Sequence, residues 1–127
     1  SLGRFLALAP QGETSALQRV AAACVRDLDM FRAPADPAEL ARRRKARLSD
    51  RQEELLVQWG YPFVMEEFKF HLTLSGPLPE ADIAKWSDKI QRLLPDLNEP
   101  FIVDQIALCG QREDGRLELL HRYTLAG

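Results

Sequence analysis

Phe68-Lys69-Phe70-His71-Leu72-Thr73-Leu74-Ser75 alternates apolar and polar side chains at every position, and a period of two is that of a β-strand with one face toward a core. Phe68, Phe70, Leu72 and Leu74 then share one face, and Lys69, His71, Thr73 and Ser75 the other. A cation, an imidazole and two hydroxyls stand in a row about 7 Å apart at each step. Such a row suits anion handling: a threonine hydroxyl donates to a phosphoryl oxygen, a lysine neutralises charge, and imidazole is the side chain that moves protons near neutral pH. The same row also fits a ligand-free strand with one wet face, since antiparallel sheets commonly leave a face solvated and Thr and Lys are at home there.

Outward from this strand the chain reads as alternating elements. Gly76-Pro77 and Pro79 end the strand, and Glu80 to Leu94 is amphipathic through Ile83, Trp86, Ile90, Leu93 and Leu94. Upstream, Ser49 is a helix N-cap with Gln52 at the capping-box position, ahead of Leu55, Leu56 and Trp59, and Gly60 stops that helix. Ala38 to Arg47 is helix-favouring and basic, and Pro34 and Pro37 separate it from an earlier helix whose Leu17, Val20, Ala21, Cys24, Val25 and Leu28 recur at helical spacing. Phe5 to Ala9 reads as a short buried strand closed by Pro10-Gln11-Gly12. Past the linker between Pro95 and Pro100, Phe101 to Leu108 and Arg116 to Leu125 read as strands of a hairpin turned at Asp114-Gly115. The sum is an α+β domain over residues 1–127, an antiparallel or mixed sheet of about four strands with helices packed on one face. The uncovered sheet face is where a cleft would lie.

Length and composition bound the function. At 127 residues, 46% hydrophobic and 28% charged, the chain is long enough for one globular core and too short for two. A formal charge of −2 does not supply the broad positive field of a duplex-DNA binder. Cys24 and Cys109 lie far apart without metal-ligand or CxxC spacing, so no metal is expected, and Cys24 reads as a small packed hydrophobe. No apolar run approaches the roughly 20 residues of a membrane span, and no signal-peptide pattern is present, so the expectation is a cytoplasmic protein without a membrane partner. The chain opens Ser1-Leu2-Gly3 and passes straight into a strand, which reads as the start of a fragment.

Phe70-His71-Leu72-Thr73-Leu74-Ser75-Gly76 resembles one of the two His-x-Thr/Ser signatures of the 2H phosphoesterase superfamily. The wider run from Trp59 to Gly76 resembles the bacterial branch of that superfamily associated with phosphonate-utilisation operons. The similarity takes in Phe5-Leu6-Ala7-Leu8, Met30-Phe31-Arg32-Ala33-Pro34, Glu39-Leu40-Ala41-Arg42-Arg43-Arg44 and the terminal hairpin ending Leu120-His121-Arg122-Tyr123. The resemblance implies the C-terminal lobe of a bilobal, pseudo-twofold fold in which each lobe gives one His-x-Thr/Ser strand to a shared cleft. The two imidazoles then act as general base and acid in opening or forming a cyclic or 2′-type phosphodiester, the two hydroxyls hold the phosphate, and no metal or other cofactor is required. In-line displacement needs a proton removed on one side of phosphorus and one donated on the other, and one histidine cannot do both.

The chain has two histidines, His71 and His121, and one His-x-Thr/Ser. His121-Arg122-Tyr123 departs from the pattern. On the last strand His121 shares parity with Leu117, Leu119, Tyr123 and Leu125, so it reads as a packed, structural imidazole. The expected assignments are therefore His71 as a catalytic proton-transfer residue, with Thr73 and Lys69 binding phosphate. Tyr61 is either a substrate contact or a turn residue before Pro62 with its ring packed on Trp59. The basic Arg42-Arg43-Arg44-Lys45 run and Arg47 read as solvated surface rather than a nucleic-acid guide. Glu66 and Glu67, adjacent and so on opposite strand faces, receive no role. The partners expected are a small phosphodiester or nucleotide substrate, RNA as an alternative ligand, and a second copy forming a homodimer through the apolar surface a half-fold exposes. The isolated chain is expected to be inactive. Two rivals stand beside this reading: a phosphate-, nucleotide- or RNA-binding module without catalysis, and a structural domain with no ligand.

Overall fold

A computed structural model describes residues 4–97 and 99–126, so the opening Ser1-Leu2-Gly3 lies outside the described residues. The described residues form two compact units, one running to Leu93 and the other beginning at Leu94. The first contains β1 (Ala7–Leu8), α1 (Ser15–Leu28), a 3-10 turn (Asp29–Phe31), α2 (Pro37–Arg44), α3 (Asp50–Trp59), a second 3-10 turn (Met65–Glu67), β2 (Leu72–Thr73) and α4 (Glu80–Gln91). The second contains β3 (Gln105–Gln111) and β4 (Leu117–Thr124). The fold class is α+β, and its strands form two separate antiparallel pairs, β1 with β2 and β3 with β4.

In helix α3 local chemistry sets both ends. The Ser49 hydroxyl accepts the Gln52 N–H at 3.2 Å while Gln52 Oε1 accepts the Ser49 N–H at 3.1 Å, completing the reciprocal box. At the other end Gly60 turns left-handed, with φ 74°, and its N–H donates to the Leu56 carbonyl at 2.9 Å. Arg32 adds a second cap: Nη2 donates to the Gln58 carbonyl at 3.2 Å while Nε bonds Asp29 at 2.6 Å. Leu55 and Leu56 are fully buried between these caps, and Leu6, Pro62 and Val64 are buried with them. Helix α2 starts on Asp36, whose carboxylate accepts the Ala38 N–H at 3.0 Å, with Pro37 in the first turn where no N–H is needed.

The eight-residue alternation delivers a much shorter strand. β2 pairs with β1 at Thr73 to Ala7 and Leu72 to Leu8. Beyond that pair the Leu74 N–H reaches the Leu6 carbonyl at 2.8 Å, and the Leu78 N–H reaches the Arg4 carbonyl at 2.7 Å. Alternation records which side chains would share a face, whereas a ladder needs a partner backbone, and β1 gives only a short one before Pro10, which has no N–H. The apolar face is correspondingly open: Leu72 is 47% and Leu74 37% exposed.

In the second unit the hairpin forms at the Asp114-Gly115 turn. The Gly115 N–H donates to the Arg112 carbonyl and the Arg112 N–H to the Arg116 carbonyl, both at 2.9 Å, with Gly115 at φ 80°, the arrangement of a three-residue loop ending on a left-handed glycine. The register slips between Leu108 and Cys109, which pair with His121 and Leu119, so Leu120 is the extra residue of a bulge. The expected packing of His121 is corrected: within its unit it is exposed, as is every residue of β4, and its ring lies edge-on to Tyr123 with centroids 4.4 Å apart.

A Cβ at Gly60 would sit 3.0 Å from Arg32 Nη1 in a left-handed backbone. Gly60→Ala is expected to lower stability by roughly 1–2 kcal/mol, and Leu56→Ala, which empties a fully buried site, by roughly 2–5 kcal/mol, both read from urea midpoints at unchanged m-value.

Candidate active site

His71 immediately precedes β2, in the stretch between the Met65–Glu67 turn and the first paired residue. Its Nδ1 lies 2.7 Å from the Lys69 carbonyl oxygen. A carbonyl can only accept, so Nδ1 carries the proton and donates it, and in the neutral ring Nε2 holds the lone pair. The Phe5 ring lies alongside, with centroids 6.0 Å apart and planes tilted by 36°. The imidazole is solvent-exposed, so its Nε2 edge can meet a solute. That is the arrangement a proton-transfer histidine needs: one nitrogen pinned by backbone, the other open to the reacting group.

Lys69 and Thr73 are both exposed. Thr73 is held by the backbone register with Ala7, and the Lys69 carbonyl is the group that orients His71. Ser75 separates from the row. Its hydroxyl accepts the Leu6 N–H at 2.9 Å and donates to the Gly76 carbonyl at 2.9 Å, which closes the strand pair and commits it to structure. Tyr61 belongs to a different cluster: Phe63 meets its ring edge-on at 5.7 Å and the Arg43 guanidinium lies 4.5 Å over it.

The charged residues flanking the motif are bound to one another. Arg42 and Arg43 both pair with Glu39, and Arg44 holds Glu53 at 2.6 Å, so much of the basic run is neutralised by neighbouring acids. Glu66 pairs with Arg51, and Glu67 accepts a hydrogen bond from Gln52 Nε2 at 2.8 Å. These acids fasten the turn ahead of His71 to α3. The Arg51 guanidinium holds the Glu66 carboxyl below the usual carboxylate range, Arg44 does the same for Glu53, and Arg42, followed by Arg43, for Glu39. Sequence reasoning gave Phe5, Arg32 and Arg51 no role as partners, because they meet His71, Gln58 and Glu66 many positions away along the chain. Gln52 was visible as a capping residue and not as a bridge. Among the described residues no three His, Cys, Asp or Glu side chains converge as a metal site, Cys24 and Cys109 are free thiols, and no helix is long and apolar enough to cross a membrane.

The family described as "Protein of unknown function (DUF1045)" matches residues 1–117. The chain belongs to that family. Two curated proteins are similar to this DUF1045 chain. One, from Janthinobacterium sp. (strain Marseille), named "Ribose 1,5-bisphosphate phosphokinase PhnN", is 45% identical over 78 residues, 61% of this chain and 17% of the relative. The other, of the same name from Laribacter hongkongensis (strain HLHK9), is 37% identical over 86 residues, 68% of this chain and 19% of the relative. The DUF1045 chain thus spans under a fifth of the length of the curated relatives it matches. No solved structure matches it.

The lowered carboxylates fix the sign of a pH effect. A carboxyl whose pKa is lower folded than unfolded contributes stability above its unfolded pKa and loses it as the pH falls through the folded one. The melting temperature is expected to fall on acidification from the ordinary carboxylate range downward. Glu66→Gln should flatten part of that slope in a scan of melting temperature against pH, and added salt should do likewise because these pairs are exposed.

Proposed function

We propose that this chain is the C-terminal lobe of a 2H-type phosphoesterase that opens a cyclic or 2′-type phosphodiester by histidine acid–base catalysis, within phosphonate metabolism. The observation that carries the reading is the His71 imidazole, pinned at Nδ1 by the Lys69 carbonyl with an open Nε2 edge, two residues from the exposed Thr73 hydroxyl. In this reading His71 Nε2 takes or gives the proton at one oxygen of the phosphodiester, Thr73 donates to a non-bridging oxygen, and the Lys69 ammonium offsets charge that builds in the transition state. The second proton-transfer group is a histidine of a matching His-x-Thr/Ser strand from a second lobe, and the His121-Arg122-Tyr123 sequence does not supply it.

The names of the relatives support ribose phosphates as the substrate class. The phosphokinase that they name is not proposed for this chain. ATP-dependent transfer of the P-loop type uses a Gly-Lys-Ser/Thr sequence at the phosphates, and no glycine of this chain is followed by lysine. Opening a cyclic phosphate of ribose yields a ribose phosphate monoester, the chemical kind of compound that a ribose bisphosphate kinase consumes. A second reading, a nucleotide- or RNA-binding module without turnover, is favoured by the single His-x-Thr/Ser in the chain.

The test is hydrolysis of 2′,3′-cyclic nucleotides and cyclic phosphates of ribose by the intact protein. His71→Ala is expected to lower kcat by about 10²–10⁴-fold, and Thr73→Val to cost roughly ten- to a hundredfold in kcat/KM through loss of a hydrogen bond to a charged group. Full activity in His71→Ala would overturn the assignment, and tight binding of the same compounds without turnover would favour the binding module.

A further inference from the structure

The segment that orients His71 has no ladder of its own. Lys69, whose carbonyl holds Nδ1, lies between the half-buried Phe68 and Phe70, on the stretch that joins the Met65–Glu67 turn to the two paired residues of β2, so the hold on each end of that stretch bears on its position. Downstream the fixing comes from β1. Upstream it comes from two side chains of α3: Gln52 Nε2 donates to Glu67 Oε2 at 2.8 Å, and Arg51 pairs with Glu66. The turn they hold carries a backbone cost, because Met65 is left-handed at φ 53°, a conformation an unbranched, bulky L-residue keeps only when its surroundings impose it. The Glu67 N–H to Val64 carbonyl bond and the Phe68 N–H to Met65 carbonyl bond, at 3.0 and 3.1 Å, close the turn.

Gln52 is the economical element here. One face of its amide, Oε1, completes the α3 capping box with the Ser49 N–H at 3.1 Å, and the other, Nε2, reaches Glu67. Two residues beyond Glu67 stands the carbonyl that selects the His71 tautomer. From this geometry we infer that Gln52, assisted by Arg51, is a positioning residue for His71: through Glu67 and Glu66 it fixes the segment whose Lys69 carbonyl holds the imidazole with Nδ1 protonated and Nε2 open. The inference deepens the phosphoesterase reading if that reading holds, and it stands on the tautomer alone if it does not.

The chemistry of the amide gives a clean test. Gln52→Glu keeps an oxygen acceptor for the Ser49 N–H, so the cap and the helix persist, but it puts a carboxylate where Glu67 needs a donor. The double variant Gln52→Glu/Glu67→Gln restores the bond with donor and acceptor exchanged. The readout is the ¹⁵N spectrum of histidine-labelled intact protein at a pH where the ring is neutral, with His71 assigned by its loss in His71→Asn. The expected result is a dominant Nδ1–H form in the parent, a shift to predominantly Nε2–H or to an even mixture in Gln52→Glu with a thermal midpoint within a few degrees of the parent, and return of the Nδ1–H form in the double variant. An unchanged tautomer in Gln52→Glu overturns the inference, as does failure of the exchanged pair to restore it while the protein stays folded. If the phosphoesterase reading is right, kcat follows the Nδ1–H fraction across the three proteins with KM little changed. Absence of any hydrolysis leaves the tautomer result standing and counts against the phosphoesterase reading alone.

Discussion

Leu55 and Leu56 are fully buried because α3 is held at both ends, by the Ser49 and Gln52 box at its start and by Gly60 with the Arg32 guanidinium at its finish. Buried apolar residues are few in the first unit, and the others, Leu6, Pro62 and Val64, come from the segments that carry Phe5 and lead toward His71. Short helices and two-residue strands have little stability of their own. The helix with secure caps is therefore the frame against which the other elements are set, and the candidate site inherits its geometry from that frame.

The charged surface follows the same logic. Arginines are numerous, yet Arg42, Arg43, Arg44 and Arg51 meet Glu39, Glu53, Glu54 and Glu66, which spreads alternating charge along α2 and α3 instead of leaving a cationic patch. Each exposed pair contributes little to stability. Their effect is on register: Arg44 ties the end of α2 to α3, and Arg51 ties α3 to the turn before His71. Lys69, by contrast, stands exposed on the segment that carries the imidazole.

Much of this organisation was legible in the chain. The Ser49 cap, the Gly60 stop, the α1 and α4 helices and the Asp114-Gly115 turn are decided by hydrogen bonds and dihedral preferences among residues a few positions apart, and all five are present in the fold. That the chain belongs to a family is shown by the DUF1045 match over residues 1–117. The extent of the motif strand was not legible. Eight alternating residues announce two faces, but only Leu72 and Thr73 find a partner in β1. The packing of His121 was not legible either: parity names the side chains that share a face, but no residue of β4 is covered, and the bulge at Leu120 is a property of the pairing of two strands.

What the sequence determined by itself, then, is whatever a local interaction can enforce: where helices start and stop, where the hairpin turns, and that an imidazole, a hydroxyl and an ammonium occur at strand spacing. What only the tertiary structure decided is which of those groups remain available and how they are aimed. Ser75 is consumed by the Leu6 N–H, Arg43 lies over the Tyr61 ring, and His71 is turned by the carbonyl of Lys69 on a segment tethered to α3 by Gln52. Apart from the Lys69 contact these partners lie many positions away along the chain. Hydrogen-bond donors and acceptors act over about 3 Å in space and are indifferent to distance in sequence, so the choice among them is made only when the chain has folded.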